Sequence, residues 1–155
     1  DVCIWNTKIL NEFMQHQPGS FQIIVEVEKD IAQSVFYFLK ELNYSVFIEP
    51  TEEILEKYLP TDKEALIIKP LVSESPLQEL SNVKTVTIEK LLVDIFSDTH
   101  VFLSQQGAEL STIFSAAFGK YTVNRSKMLR YANRRRKKEL LEKFVNQYQI
   151  YGSKG

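Results

Sequence analysis

Apolar positions recur with two different periods along this chain, and the period changes near its middle. In the first half, short apolar runs alternate with helix-like stretches. Val2 to Asn6 reads as a short strand. Lys8 to Gln15 reads as a helix with Ile9, Leu10, Phe13 and Met14 on one face. Gln17-Pro18-Gly19-Ser20 is a turn. The run from Phe21 to Val27 is rich in β-branched residues and too apolar for an exposed edge. Asp30 suits the N-cap of a following helix, whose core face would be Ile31, Val35, Phe38, Leu39 and Leu42. Tyr44 to Ile48 is strand-like, and Thr51 opens a short helix with acids in its first turn. Ala65 to Ile68 is a buried-type strand stopped by Pro70, and 71–82 reads as a loop.

After Val83 to Val86, one more short strand, the pattern is helical almost to the end. Ile88, Leu91, Leu92 and Ile95 follow helical spacing behind Thr87 as N-cap. A helix fits Ala108 to Phe118, closed by Gly119, and another begins after Asn124 with Met128, Leu129 and Ala132. The last carries Leu140, Leu141, Phe144, Val145 and Tyr148. The fold class is therefore α/β (α+β). A mixed sheet of four to five strands is flanked by helices, compatible with a restriction-endonuclease-like layout without its active site, and a C-terminal helical layer follows. One domain over 1–155 is expected, sheet-rich over 1–82 and mostly helical over 83–150.

Composition changes this picture little, but charge does. The net charge of −1 conceals a split. Residues 1–80 hold 6 basic and 14 acidic residues, a net −8, whereas 81–155 hold 13 basic and 6 acidic, a net +7. Between 120 and 143, ten Lys and Arg face two Glu. Such asymmetry marks a surface for nucleic acid or an acidic partner. No apolar run approaches the roughly 18 residues of a membrane span, so no membrane partner is expected and a cytoplasmic setting fits. The chain starts at Asp1 and reads as a fragment of something longer.

The residues offer little for catalysis. His16 and His100 are the two histidines, and neither has a further ligand at metal-site spacing. Cys3 is the one cysteine and falls on a strand, where burial is its usual fate. There is no Gly-x-Ser-x-Gly elbow and no Gly-rich phosphate loop. Catalytic residues, metal and cofactor are thus expected to be absent. Glu26 and Glu28 raise the alternative of a metal-dependent nuclease, but the acid position before Lys69 is filled by Ile67, which cannot bind a hard cation. The two glutamates are instead expected to share the solvated face of a strand end, or to feed negative charge to the N-terminus of the helix from Asp30.

The strongest compositional feature is Arg134-Arg135-Arg136-Lys137-Lys138, extended upstream by Lys127 and Arg130. These seven are the candidate partner- or nucleic-acid-binding residues. A solvated helix face is the competing reading of the same run.

One segment carries a resemblance. The stretch from Val83 to Phe96, centred on Thr87-Ile88-Glu89-Lys90-Leu91-Leu92-Val93-Asp94, is similar to the strand-then-helix motif in the C-terminal domain of AbiE-type antitoxins. These are regulators of type IV toxin–antitoxin, or abortive-infection, systems. The family pattern is Thr-Pro-Glu-Arg-x-Leu-Leu/Val-Asp-Leu. Thr87, Glu89, Leu91, Val93 and Asp94 match it, while Ile88 stands for Pro and Lys90 for Arg. Gly107 to Leu110, Tyr121 to Asn124 and Leu129 to Ala132 also resemble that domain, so the likeness spans about 83–133. It implies a non-enzymatic domain that follows a winged-helix module, neutralises a nucleotidyltransferase-like toxin and assists DNA binding. A protein-binding scaffold is a further alternative. From spacing alone, Lys90 and Asp94 form an exposed i, i+4 pair worth about 0.2–0.5 kcal/mol.

Overall fold

The computed structural model describes residues 1–60, 62–148 and 150. It is a mixed α/β structure that divides into two compact units. The first comprises Asp1–Ile9, Pro18–Val72 and Leu77–Val86, and the second Leu10–Gln17, Ser73–Pro76 and Thr87–Gly155.

The first unit is built on a four-stranded sheet of order β1-β2-β4-β3. Its strands are β1 (Val2–Asn6), β2 (Gln22–Val27), β3 (Val46–Ile48) and β4 (Ala65–Pro70). β1 runs antiparallel to β2, and β2, β4 and β3 are parallel. Ile24, Ile67 and Ile68 are at most 1% exposed, as expected for strands covered on both sides. Two helices join the parallel strands, α1 (Ala32–Glu41) and α2 (Glu52–Tyr58). The Thr51 hydroxyl accepts the Ile54 N–H at 3.2 Å, which makes it the expected N-cap of α2.

Several local expectations shift. Asp30 does not cap α1; it lies in a 3-10 turn, Lys29–Ile31, that leads into the helix. This rotates the apolar face. Val35, Phe36 and Leu39 pack on Val25, Val46, Leu66 and Ile68, while Ile31, Phe38 and Leu42 are exposed. Thr7–Phe13 is a 3-10 helix rather than an α-helix. With three residues per turn it buries Thr7, Leu10 and Phe13 and turns Ile9 outward. The segment expected as a loop over 71–82 contains a strand, β5 (Leu77–Leu80), paired antiparallel with β6 (Val83–Val86). Ser81 and Asn82 both take positive φ, the twist that suits a two-residue hairpin turn.

The second unit is helical. Its elements are α3 (Ile88–Ser97), α4 (Ala108–Lys120), α5 (Arg125–Arg134) and α6 (Lys138–Gln147). α3 is its centre: every residue from Glu89 to Ile95 is buried. Ile113, Phe114, Met128, Ala132, Leu141 and Val145 are fully buried around it. Gly119 lies inside the last turn of α4, not past its end.

Candidate functional site: a buried charge network under the basic helices

The motif helix begins with two joints. The Thr87 hydroxyl accepts the Lys90 N–H at 3.3 Å and donates to the Pro76 carbonyl at 2.8 Å. Glu89, 5% exposed, accepts the Asn124 N–H at 2.9 Å, while the Asn124 side chain accepts the Lys127 N–H at 3.0 Å. Glu89 thus places a carboxylate at the start of α5, where the helix dipole favours it.

Lys90 and Asp94 are not an exposed pair: their side chains are 0% and 1% exposed. Lys90 Nζ donates to Asp94 Oδ2 at 2.5 Å and to the Tyr131 hydroxyl at 3.1 Å, and it lies 5.1 Å from that ring's centroid. Tyr131 donates its hydroxyl proton to Asp94 Oδ1 at 2.6 Å. Arg135 reaches the same oxygen through Nη1 at 2.5 Å and holds Asp98 through Nη2 at 2.6 Å. Asp94 thus gathers Lys90, Tyr131 and Arg135 on its two oxygens, and Arg135 carries the network on to Asp98 at the edge of the helical core. The amphipathic reading missed this because α3 is covered all round. A charge opposite the apolar stripe then has no water to face.

The network also tunes its members. Burial pushes the Tyr131 hydroxyl well above the usual tyrosine range, and the Asp94 carboxylate adds to the rise. Burial alone would lower the Arg135 guanidinium, but Asp98 and Asp94 overcome it and raise it.

The basic run is divided between different roles. Arg135 points inward, with its side chain 14% exposed. Arg134 meets Glu74 at 3.2 Å and contacts the Ser73 hydroxyl. Arg136 is the left-handed residue that ends α5, at φ 58°. Lys137 N–H bonds to Ala132 O at 2.8 Å and Arg136 N–H to Asn133 O at 3.0 Å, the paired bonds of a Schellman stop. Lys127, Arg130, Arg136 and Lys138 are exposed, and Lys137 is half-buried. Lys127, Arg130 and Arg134 share the outer side of α5, because i, i+3 and i+7 lie within about 60° of one another on a helix.

The remaining candidates fall elsewhere. His16, 87% exposed, binds Glu109 at 2.8 Å through Nδ1. That hydrogen bond, with backbone donors from His16 and Gln15, holds the Glu109 carboxyl below the usual range. Glu26 is not solvated: it is 1% exposed and sits in register with Lys69, itself 9% exposed, on the neighbouring parallel strand. Glu28 is exposed. Among the described residues no group of three or more His, Cys, Asp or Glu could hold a metal ion. Also among them, no helix is long and apolar enough to cross a membrane.

The fold and the network define a mixed α/β chain whose helical unit is organised around a buried ionic cluster. Over residues 1–151 the chain belongs to a family of unknown function, DUF6577. No curated protein matches it, and no solved structure does.

Proposed function

We propose that this chain is a non-enzymatic binding domain of a regulator of the AbiE-antitoxin kind. It engages an anionic partner through α5 and the start of α6. The observation that supports this reading is the exposed cationic set Lys127, Arg130, Arg136 and Lys138. Lys127 and Arg130 are carried on α5, whose inner face and C-cap are tied to α3 through Tyr131 and Arg135 on Asp94. A rigid support reduces the ordering cost of a charged contact. The sequence resemblance supplies the partner, a nucleotidyltransferase-like toxin, with duplex DNA as a second anionic surface. No cofactor takes part.

The test is a salt titration of binding to random duplex and to a candidate nucleotidyltransferase-like toxin, comparing wild type with a Lys127→Ala/Arg130→Ala/Arg136→Ala variant. About three phosphate contacts give a log–log salt slope near −3. The variant is expected to lose most of that slope; unchanged binding by a folded variant would make these cations a solvated face only. Mg²⁺-dependent DNA cleavage abolished by Glu26→Ala would favour the nuclease alternative, for which buried Glu26 beside Lys69 is the one supporting feature.

A further inference from the structure

We infer that Glu74, with Ser73, is an intramolecular stand-in for a nucleic-acid phosphate: it holds Arg134 out of the basic contact surface until a duplex backbone displaces it. This rests on the proposed binding role of α5 and adds its regulation. Lys127, Arg130 and Arg134 are exposed on the outer side of α5. At about 1.5 Å of rise per residue they spread over roughly 10 Å of its length. Arg134 already has an anion: its Nε lies 3.2 Å from Glu74 Oε2, and its Nη2 donates to the Ser73 hydroxyl. A phosphate bonded to Arg134 there would meet the Glu74 charge at close range, where like charges repel. The carboxylate must therefore leave before Arg134 can act beside Lys127 and Arg130.

The contact is open to displacement. The Arg134 and Glu74 side chains are 43% and 65% exposed, and an ion pair so open to water shifts an equilibrium by at most about fivefold. A polyanion already held by Lys127 and Arg130 brings its next charge to Arg134 as an intramolecular event, at high effective concentration. A small single anion has no such advantage. The tie thus favours an extended phosphate backbone over lone ions.

Local structure aims the acid without requiring one. Ser73–Pro76 and α5 belong to the same compact unit, and the Pro76 carbonyl accepts the Thr87 hydroxyl at 2.8 Å at the start of α3. Glu74 has φ 64°, in the left-handed region that glycine and asparagine fill most readily. Backbone conformation alone therefore does not account for a carboxylate there. The helix face decides the partner. The exposed residues of α5 are Arg125, Ser126, Lys127, Arg130, Asn133 and Arg134. All can donate to phosphate oxygens. None is the apolar or aromatic anchor that a protein interface needs, or the ring on which a single strand stacks.

The test is fluorescence anisotropy with a fluorescein-labelled random-sequence duplex at several salt concentrations. Wild type is compared with Glu74→Gln, Arg134→Ala and the double variant, each checked for folding by a thermal melt. Glu74→Gln is expected to bind about three- to fivefold tighter, with a log–log salt slope steeper by about 0.9, the increment of one further phosphate. In the Arg134→Ala background the same substitution is expected to leave both nearly unchanged, because the gain passes through Arg134. An equal gain in both backgrounds would make Glu74 one negative charge among many and overturn the proposal. So would no gain in Glu74→Gln while Lys127→Ala with Arg130→Ala weakens binding, an outcome that leaves the proposed function standing. Absence of duplex binding in every variant would also overturn this proposal, and absence of binding to a candidate toxin as well would overturn the proposed function.

Discussion

Asp94 shows how far burial changes the worth of a residue pair. On an exposed face, Lys90→Ala would cost under about 1 kcal/mol. In the core it strands part of a buried carboxylate, and removing one partner of such a pair costs about 3–5 kcal/mol. Leu91→Ala, at a site 3% exposed, should cost about 2–5 kcal/mol through its cavity. Urea melts should therefore rank the two as comparable. Asp94→Asn should be worse than Lys90→Met, because Asp94 serves Lys90, Tyr131 and Arg135 together. The opposite order would mean that the hub lies elsewhere. Tyr131 adds a pH signature. Its folded pKa is raised above the unfolded value, so its contribution is complete below the ordinary tyrosine range of about 10. It is lost as pH rises through the folded value. Wild type should lose stability from about pH 10 upward more steeply than Tyr131→Phe; parallel curves would deny Tyr131 its buried, neutral role.

Elements end where local chemistry allows, and here that matters for the basic run. Five consecutive cations read as one solvated helix face, yet a Schellman stop divides them at Arg136. An L-residue at φ 58° is strained, whereas glycine is not. Arg136→Gly is therefore expected to raise stability slightly: relief of the left-handed strain is worth about 1–2 kcal/mol, and the freedom glycine adds to the unfolded chain takes back about 0.5–1 kcal/mol. Under the proposed function the same substitution weakens binding to duplex DNA and to the toxin. A thermal melt paired with the binding titration separates the two effects, and higher stability with full affinity would remove Arg136 from the contact surface. Asn43 makes the same kind of stop after α1, with φ 67° and Tyr44 N–H bonded to Leu39 O at 3.2 Å. Thr87→Ala removes a cap and the bond to Pro76, and should cost about 1–2 kcal/mol by denaturant melt. A cost near zero would show that the α3 start is held by packing alone.

At the scale of the whole molecule, the charge split follows the chain's organisation. The excess of acids over 1–80 belongs mostly to the sheet unit, and the cations over 120–143 belong to the helical unit. The anionic partner proposed for α5 and the start of α6 would thus meet the unit that carries most of the basic excess. Lys127→Ala with Arg130→Ala should flatten the salt dependence of DNA binding. An unchanged slope in a variant that folds normally would remove these two cations from the contact surface.

The existence of most elements was legible because β runs and helical stripes are short-range patterns. β1, β4, α2 and α3, with the Thr51, Thr87 and Asn124 caps, need only neighbouring residues to specify them. The Ser81-Asn82 hairpin escaped because its turn lacks glycine and β5 is mostly exposed. What only the tertiary structure decided was which side of each helix meets water. Periodicity assumes one wet face, and α3 has none. So Glu89, Lys90 and Asp94 became core residues, and Arg135 was drawn from the basic run to neutralise Asp94 and Asp98. The partner of a buried charge is chosen by distance in space: Tyr131 and Arg135 lie 37 and 41 positions from Asp94 in the chain. No local pattern encodes such a distance.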